Sequence, residues 1–93
     1  MYIEEWQWDD GYLDHLAEHG VTRHIVEQVS LTAPRFRPNP RRLPHGRQMI
    51  GPDYGGGMWL ICIVPIQGHP GLWRAYTGWP AEPEDEKWYR RST

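Results

Sequence analysis

Met58-Trp-Leu-Ile-Cys-Ile-Val-Pro65 is the stretch on which the fold turns. It is apolar from Met58 to Val64 and bounded by the glycines before it and by Pro65. A run this short and this continuous reads as a central strand covered on both faces. Weaker strand signals flank it. Arg47 to Gly51 is short and mixed in character. Leu72 to Gly78 alternates, and strict alternation puts Trp73, Ala75 and Thr77 on one face and Leu72, Arg74 and Tyr76 on the other. The connections Gly51-Pro-Asp-Tyr-Gly-Gly-Gly57 and Gln67-Gly-His-Pro-Gly71 are turn-rich and suit hairpins.

Moving towards the N-terminus, residues 33–47 carry Pro34, Pro38, Pro40 and Pro44, a density that forbids a helix and leaves an edge strand or an extended loop. Two helices precede it. Asp9 and Asp10 supply N-cap chemistry for a helix running to about His19, with Leu13, Leu16 and Ala17 as its core stripe and Gly20 as its stop. Thr22 caps the second, where Val21 and Val26 are spaced for a hydrophobic staple and Ile25, Val26 and Val29 form the buried face. Tyr2 to Trp8 alternates well enough for a short strand, while Gly78-Trp79-Pro80 reads as an exposed turn in which Trp79 anchors a partner. At the other end, Glu82 to Arg91 predicts a helix with Pro83 in the first turn. Its acids Glu84, Asp85 and Glu86 come first and its bases Lys87, Arg90 and Arg91 last, matching the helix dipole; Trp88 and Tyr89 are its anchors. The expected architecture is a single α+β domain over residues 1–93, with a small antiparallel sheet of three to four strands, two N-terminal helices and one C-terminal helix.

Composition narrows the function classes. Ninety-three residues with six Trp and five Tyr describe one small folded domain rather than a disordered tail. Cys62 is the one cysteine. It cannot build a disulfide framework, so it reads as a small buried hydrophobe. The run Met1-Tyr-Ile-Glu-Glu-Trp6 lacks the pattern of a secretory leader, and no apolar stretch is long enough for a membrane helix, so a cytoplasmic location is expected. The net charge of −2 argues against indiscriminate nucleic-acid binding. Its distribution is uneven. Residues 1–34 hold seven acids and one base, Arg23, whereas residues 35–47 hold Arg35, Arg37, Arg41, Arg42 and Arg47 and no acid. Guanidinium groups suit bidentate phosphate contacts, so this strip is a candidate anion-binding surface. The plainer alternative is a solvated loop paired with the acidic first third.

Trp8-Asp9, His15, Glu18-His19-Gly20-Val21 and Val26-Glu27-Gln28-Val29 together resemble the opening of the BrnT-like toxins, in which a Trp-Asp pair leads a helix ending in His-Gly-Val. Arg47-Gln-Met-Ile-Gly51 with Gly57-Met-Trp-Leu-Ile-Cys-Ile-Val64 is similar to the family's arginine-bearing hairpin, and Trp73-Arg-Ala-Tyr-Thr77 with Glu86 and Tyr89-Arg90 to its last strand and closing helix. Gly78-Trp79-Pro80 departs from the Ala-Arg pair of the family. The resemblance implies a RelE-like fold, metal- and cofactor-free RNA cleavage, and an antitoxin protein that neutralises the toxin.

Such cleavage needs the 2′-hydroxyl deprotonated, the phosphorane charge stabilised and the 5′-oxygen protonated. Arg47 and Arg74 are the candidate phosphate-stabilising pair. His45, beside Arg47, offers an imidazole as acid or base, and Tyr76 shares the face of Arg74. Arg35, Arg37, Arg41 and Arg42 are the candidate RNA-binding residues, and Tyr89 is a weaker candidate. Each also has an ordinary reading as loop, stacking or packing residue. His15-Leu-Ala-Glu18-His19 matches a zinc-peptidase pattern, but a third ligand and a cleft are hard to find in so short a chain, so no metal is expected. The competing functional class is a non-catalytic RNA- or protein-binding module on the same scaffold, such as a phage or mobile-element interaction protein.

Overall fold

The computed structural model describes residues 3–39 and 45–91. In chain order its elements are β1 (Glu5–Trp6), α1 (Asp10–Ala17), α2 (Arg23–Leu31), β2 (Arg35–Pro38), β3 (Arg47–Pro52), β4 (Met58–Pro65), β5 (Leu72–Pro80) and α3 (Pro83–Arg91). The strands make one five-stranded sheet in the order β1-β5-β4-β3-β2. From β2 to β5 the chain meanders antiparallel, and β1 returns parallel to β5 at the far edge. Among the described residues the fold is therefore α+β with three helices, but the sheet is larger and more mixed than the three to four antiparallel strands expected. The two-residue β1 makes the sheet mixed, and the proline-rich segment supplies β2 as an edge strand.

Local chemistry accounts for the helices. The Asp9 side chain accepts from the Tyr12 N–H at 3.0 Å, and Thr22 Oγ1 accepts from the Ile25 N–H at 3.2 Å, each satisfying a donor that the helix start leaves open. α1 stops at Ala17, two residues earlier than expected. There the Val21 N–H donates to the Leu16 carbonyl and the Gly20 N–H to that of Ala17, both at 3.0 Å. That pair of bonds needs a left-handed residue, and Gly20 supplies it at φ 80°.

Two apolar clusters sandwich the sheet. On the face covered by α1 and α2, Leu16, Val21, Val26 and Val29 meet Met49, Ile61, Ile63, Trp73 and Ala75. On the other face Ile50, Leu60 and Cys62 meet Trp88 and Tyr89 of α3. A fully buried aliphatic side chain is worth roughly 1.5–3 kcal/mol. The first cluster thus carries most of the fold, and α3, which has no fully buried residue of its own, is the weaker layer. The expected anchors, Trp88 and Tyr89, do fasten it.

Two expectations about β5 are corrected. Gly78-Trp79-Pro80 is not a turn. The strand continues to Pro80, and Trp79 pairs with Leu60 and packs half-buried against the α3-side cluster. Nor does Thr77 share a face with Trp73 and Ala75. Cys62 pairs with Thr77 while the next residue, Ile63, pairs with Ala75, so Tyr76 is the extra residue of a β-bulge in the register of β5 against β4. The extra residue breaks the period of two and aims Tyr76 and Thr77 at the same side.

Candidate functional site

The sheet face beneath α3 is only partly covered. Beyond the helix a cleft of about 480 Å³ opens over β3, β4 and β5, lined by His15, Asn39, Gln48, Cys62, Tyr76, Thr77 and Trp79. A second recess, lined by Asp9, Gly11, Tyr12, His15 and Tyr76, adjoins it through the shared His15 and Tyr76. Sheet and helix geometry explain who is there. Gln48, Cys62, Tyr76 and Trp79 occupy the α3-side positions of their strands, and the bulge adds Thr77. Tyr12, His15 and His19 form one stripe along α1 and its C-terminal turn, spaced three and four residues apart. Leu16, next to that stripe, holds α1 in the core.

The polar groups of the cleft are oriented by one another. Asn39 Nδ2 donates to the Tyr76 hydroxyl at 2.9 Å, which leaves the Asn39 carbonyl oxygen free to accept. Arg37 Nε donates to Gln48 Oε1 at 2.5 Å, so the Gln48 amide N–H groups remain to donate. His15 Nδ1 lies 3.1 Å from Glu18 Oε2, leaving Nε2 as the outward atom. The His19 ring stands edge-on to those of His15 and Trp79, with centroids 5.9 and 6.3 Å apart. Burial pushes the Cys62 thiol up to about 11, against the opposing pulls of the Tyr76 hydrogen bond and the Arg37 charge. It is a protonated floor residue at neutral pH rather than a nucleophile.

Arg74 lies beside the second recess. Its Nε donates to Gln7 Oε1 at 2.9 Å, its Nη2 reaches the same oxygen, and its guanidinium carbon sits 4.8 Å from the centre of the Tyr12 ring. Among the described residues no carboxylate lies within ion-pair reach of it. Its positive charge is positioned without being neutralised.

The expected catalytic group is not gathered in one place. Arg74 and Tyr76 share the α3-side face, as alternation and the bulge together require. Arg47 pairs with Ile63 and alternates with Met49, which puts it on the face of α1 and α2, where its Nη1 donates to the Gly46 carbonyl at 3.0 Å. Arg47 and Arg74 therefore stand on opposite sides of the sheet and cannot clamp one phosphate. His45 is exposed in a left-handed turn at φ 65° and lines neither recess. Of the basic strip, Arg37 is held by Asp85 at 2.6 Å and lies over the Trp88 ring at 4.9 Å, so it fastens α3 rather than facing an RNA. Arg35 is half-buried across from Ile50, and its Nε has no hydrogen-bond partner. Arg41 and Arg42 lie outside the described residues. Tyr89 donates its hydroxyl to the Ala33 carbonyl at 2.9 Å, tying α3 to the start of β2. No group of three or more His, Cys, Asp or Glu side chains among the described residues is placed to hold a metal ion.

Sequence reasoning missed Gln7, Tyr12, Asn39 and Gln48, and it weighed His15 as part of the BrnT-like opening and as a metal ligand but not as a residue of this cleft. The helical spacing of Tyr12, His15 and His19 was the available signal. Neither the known protein-family models nor the curated proteins match this chain.

Proposed function

We propose that this protein binds single-stranded RNA in the cleft over β5, as an interaction module. What carries the reading is a lining of amides, hydroxyls and rings, and in the adjoining recess Arg74 stands over Tyr12 with no carboxylate partner among the described residues. An unpaired base offers a π-face to Trp79 and His15, and hydrogen-bonding edges to Asn39, Gln48 and Thr77. Its phosphate offers a charge to Arg74. Stacking of this kind is worth about 1–3 kcal/mol per base and tolerates many sequences. Duplex RNA buries those edges and exposes mainly phosphate, which Arg74 on a protein of net charge −2 holds weakly.

The test is fluorescence anisotropy with a labelled single-stranded RNA and its duplex. Preference for the single strand, with about tenfold loss in Arg74→Ala, is expected, since charge-assisted contacts are worth about 1.5–3 kcal/mol. Equal affinity for the duplex, or an unchanged Arg74→Ala, refutes the reading.

A second reading, a toxin-type endoribonuclease of the BrnT-like family checked by an antitoxin, is favoured by one arrangement. His15, oriented by Glu18, and Tyr76 border one recess beside Arg74. The 2′-oxygen would give its proton to His15 Nε2 and attack phosphorus, the bond to the 5′-oxygen would break as that oxygen takes a proton from water, and a 2′,3′-cyclic phosphate would remain. In this reading Arg74 replaces the Arg47–Arg74 pair and His15 replaces His45. Purified, partner-free protein should then cut RNA in the presence of EDTA, and His15→Ala should not. Intact RNA with a folded wild-type protein leaves only the binding module.

A further inference from the structure

At the opposite edge of the sheet a groove of about 370 Å³ runs between β1 and α2, and nothing in the RNA cleft uses it. Arg23, Glu27, Ser30 and Leu31 border it as one stripe of α2, spaced four, three and one residues apart. Ile3, Trp6 and Trp8 form its other wall and continue the apolar core outwards. Leu31 is 74% exposed, unusual for a leucine beside a core.

The edge itself is unsatisfied. Glu5 and Gln7 donate their N–H groups to the carbonyls of Gly71 and Trp73 at 3.1 and 2.8 Å. In a parallel ladder the intervening residue then points its N–H and C=O away from the neighbouring strand. Those of Trp6 face outwards, and no described residue pairs with them. A protein normally blunts such an edge. Here it opens onto an apolar wall, which is the arrangement that accepts an added strand.

The charge around the groove fixes what kind of strand. Glu5 and Glu27 flank it, and Arg23, the one cation among its described lining residues, is paired with Glu27, which leaves the charge of Glu5 in excess. The Arg23 Nε lies 3.7 Å from Glu27 and its guanidinium carbon 5.4 Å from the centre of the Trp8 ring. We infer that the groove beside β1 docks an extended segment of a partner protein, apolar on alternate residues and bearing lysine or arginine, which pairs with the main chain of Trp6 and rests on Leu31.

The experiment is selection of displayed heptapeptides on the full chain, with the Glu5→Lys and Leu31→Ser variants as counter-targets. Both substitutions are at exposed positions and should leave the circular dichroism unchanged. Enrichment of alternating apolar and basic peptides is expected, together with slowed hydrogen exchange at the Trp6 amide. Binding about tenfold weaker to either variant is also expected, as loss of one well-placed interface contact typically gives. The proposal is overturned if no peptide is enriched, if the enriched peptides are acidic, or if they bind both variants as well as the parent. It is overturned equally if the groove turns out to be filled by a second copy of this chain, seen as a concentration-dependent doubling of mass that Leu31→Ser abolishes, or by RNA competing with the peptides.

Discussion

The side-chain amide of Asn39, just past the end of β2, donates to the hydroxyl of Tyr76 in β5 at 2.9 Å, across the two strands that separate them in the sheet. This bond draws one wall of the cleft towards another and fixes where the phenol stands. Tyr76→Phe removes it with almost no change of volume. In the variant, loss of the Asn39 bond should cost about 0.5–1.5 kcal/mol of stability, the net value of one hydrogen bond, and loss of the hydroxyl's contact to Cys62 adds to it. Its affinity for single-stranded RNA should fall by about three- to tenfold over the same energy range. Urea denaturation and anisotropy titration check the two halves separately. A variant that binds RNA as tightly as the parent would place the ligand elsewhere.

Much of the architecture was legible because local chemistry decided it. Asp9, Thr22 and Gly20 announce the starts and the stop of the first two helices, and Met58 to Val64 announces the central strand. The candidate site was less legible, since it depends on register. A one-residue slip exchanges the two faces of a strand. No glycine or other turn residue marks the bulge at Tyr76, so the phase change that brings Thr77 to the cleft has no sequence signature. The side of Arg47 likewise follows from its pairing with Ile63, a long-range fact. Asn39 and Gln48 are uncharged and stand out only when the fold brings them near Tyr76.

Arg37 links three elements at once, by its contacts to Gln48, Asp85 and Trp88. Its side chain is 28% exposed and that of Asp85 16%, so the pair is better shielded than a surface ion pair. Arg37→Ala leaves Asp85 and the Gln48 carbonyl without their donor and should cost about 1–3 kcal/mol in chemical denaturation. Because α3 is the thinner layer, hydrogen exchange should rise first in Pro83–Arg91. Uniform exchange across the molecule would contradict the layered picture.

The β3–β4 hairpin predicts a pH response. Asp53 Oδ2 accepts from Trp59 Nε1 and Oδ1 from the Gly55 and Gly57 N–H groups, all at 2.9 Å. The Trp59 bond foremost, then those backbone bonds, outweigh desolvation and hold the carboxyl below the ordinary aspartate range. The folded value lies below the unfolded one, so the stabilisation is complete above about pH 4 and disappears as pH falls through the depressed folded value. Asp53→Asn should flatten this part of the stability profile when melting is followed from about pH 6 down to pH 2. A variant with the parent's acid dependence would show that another carboxylate is responsible.

Cys62 makes the opposite prediction for alkali. Burial raises its thiol to about 11, and it is only 3% exposed. An aromatic disulfide reagent should therefore leave the native protein unlabelled at neutral pH and label it fully in urea. Rapid native labelling would mean that the cleft floor opens to solvent.

Tyr76 is surplus to the ladder. Excising it would let β5 zip to β4 without interruption, with Ala75 and Thr77 still opposite Ile63 and Cys62. Trp73 would still look towards the helical pair and Trp79 away from it. Amide signals of such a shortened chain should report intact pairing while RNA affinity vanishes. A single residue thus separates what this polypeptide is shaped like from what it can hold.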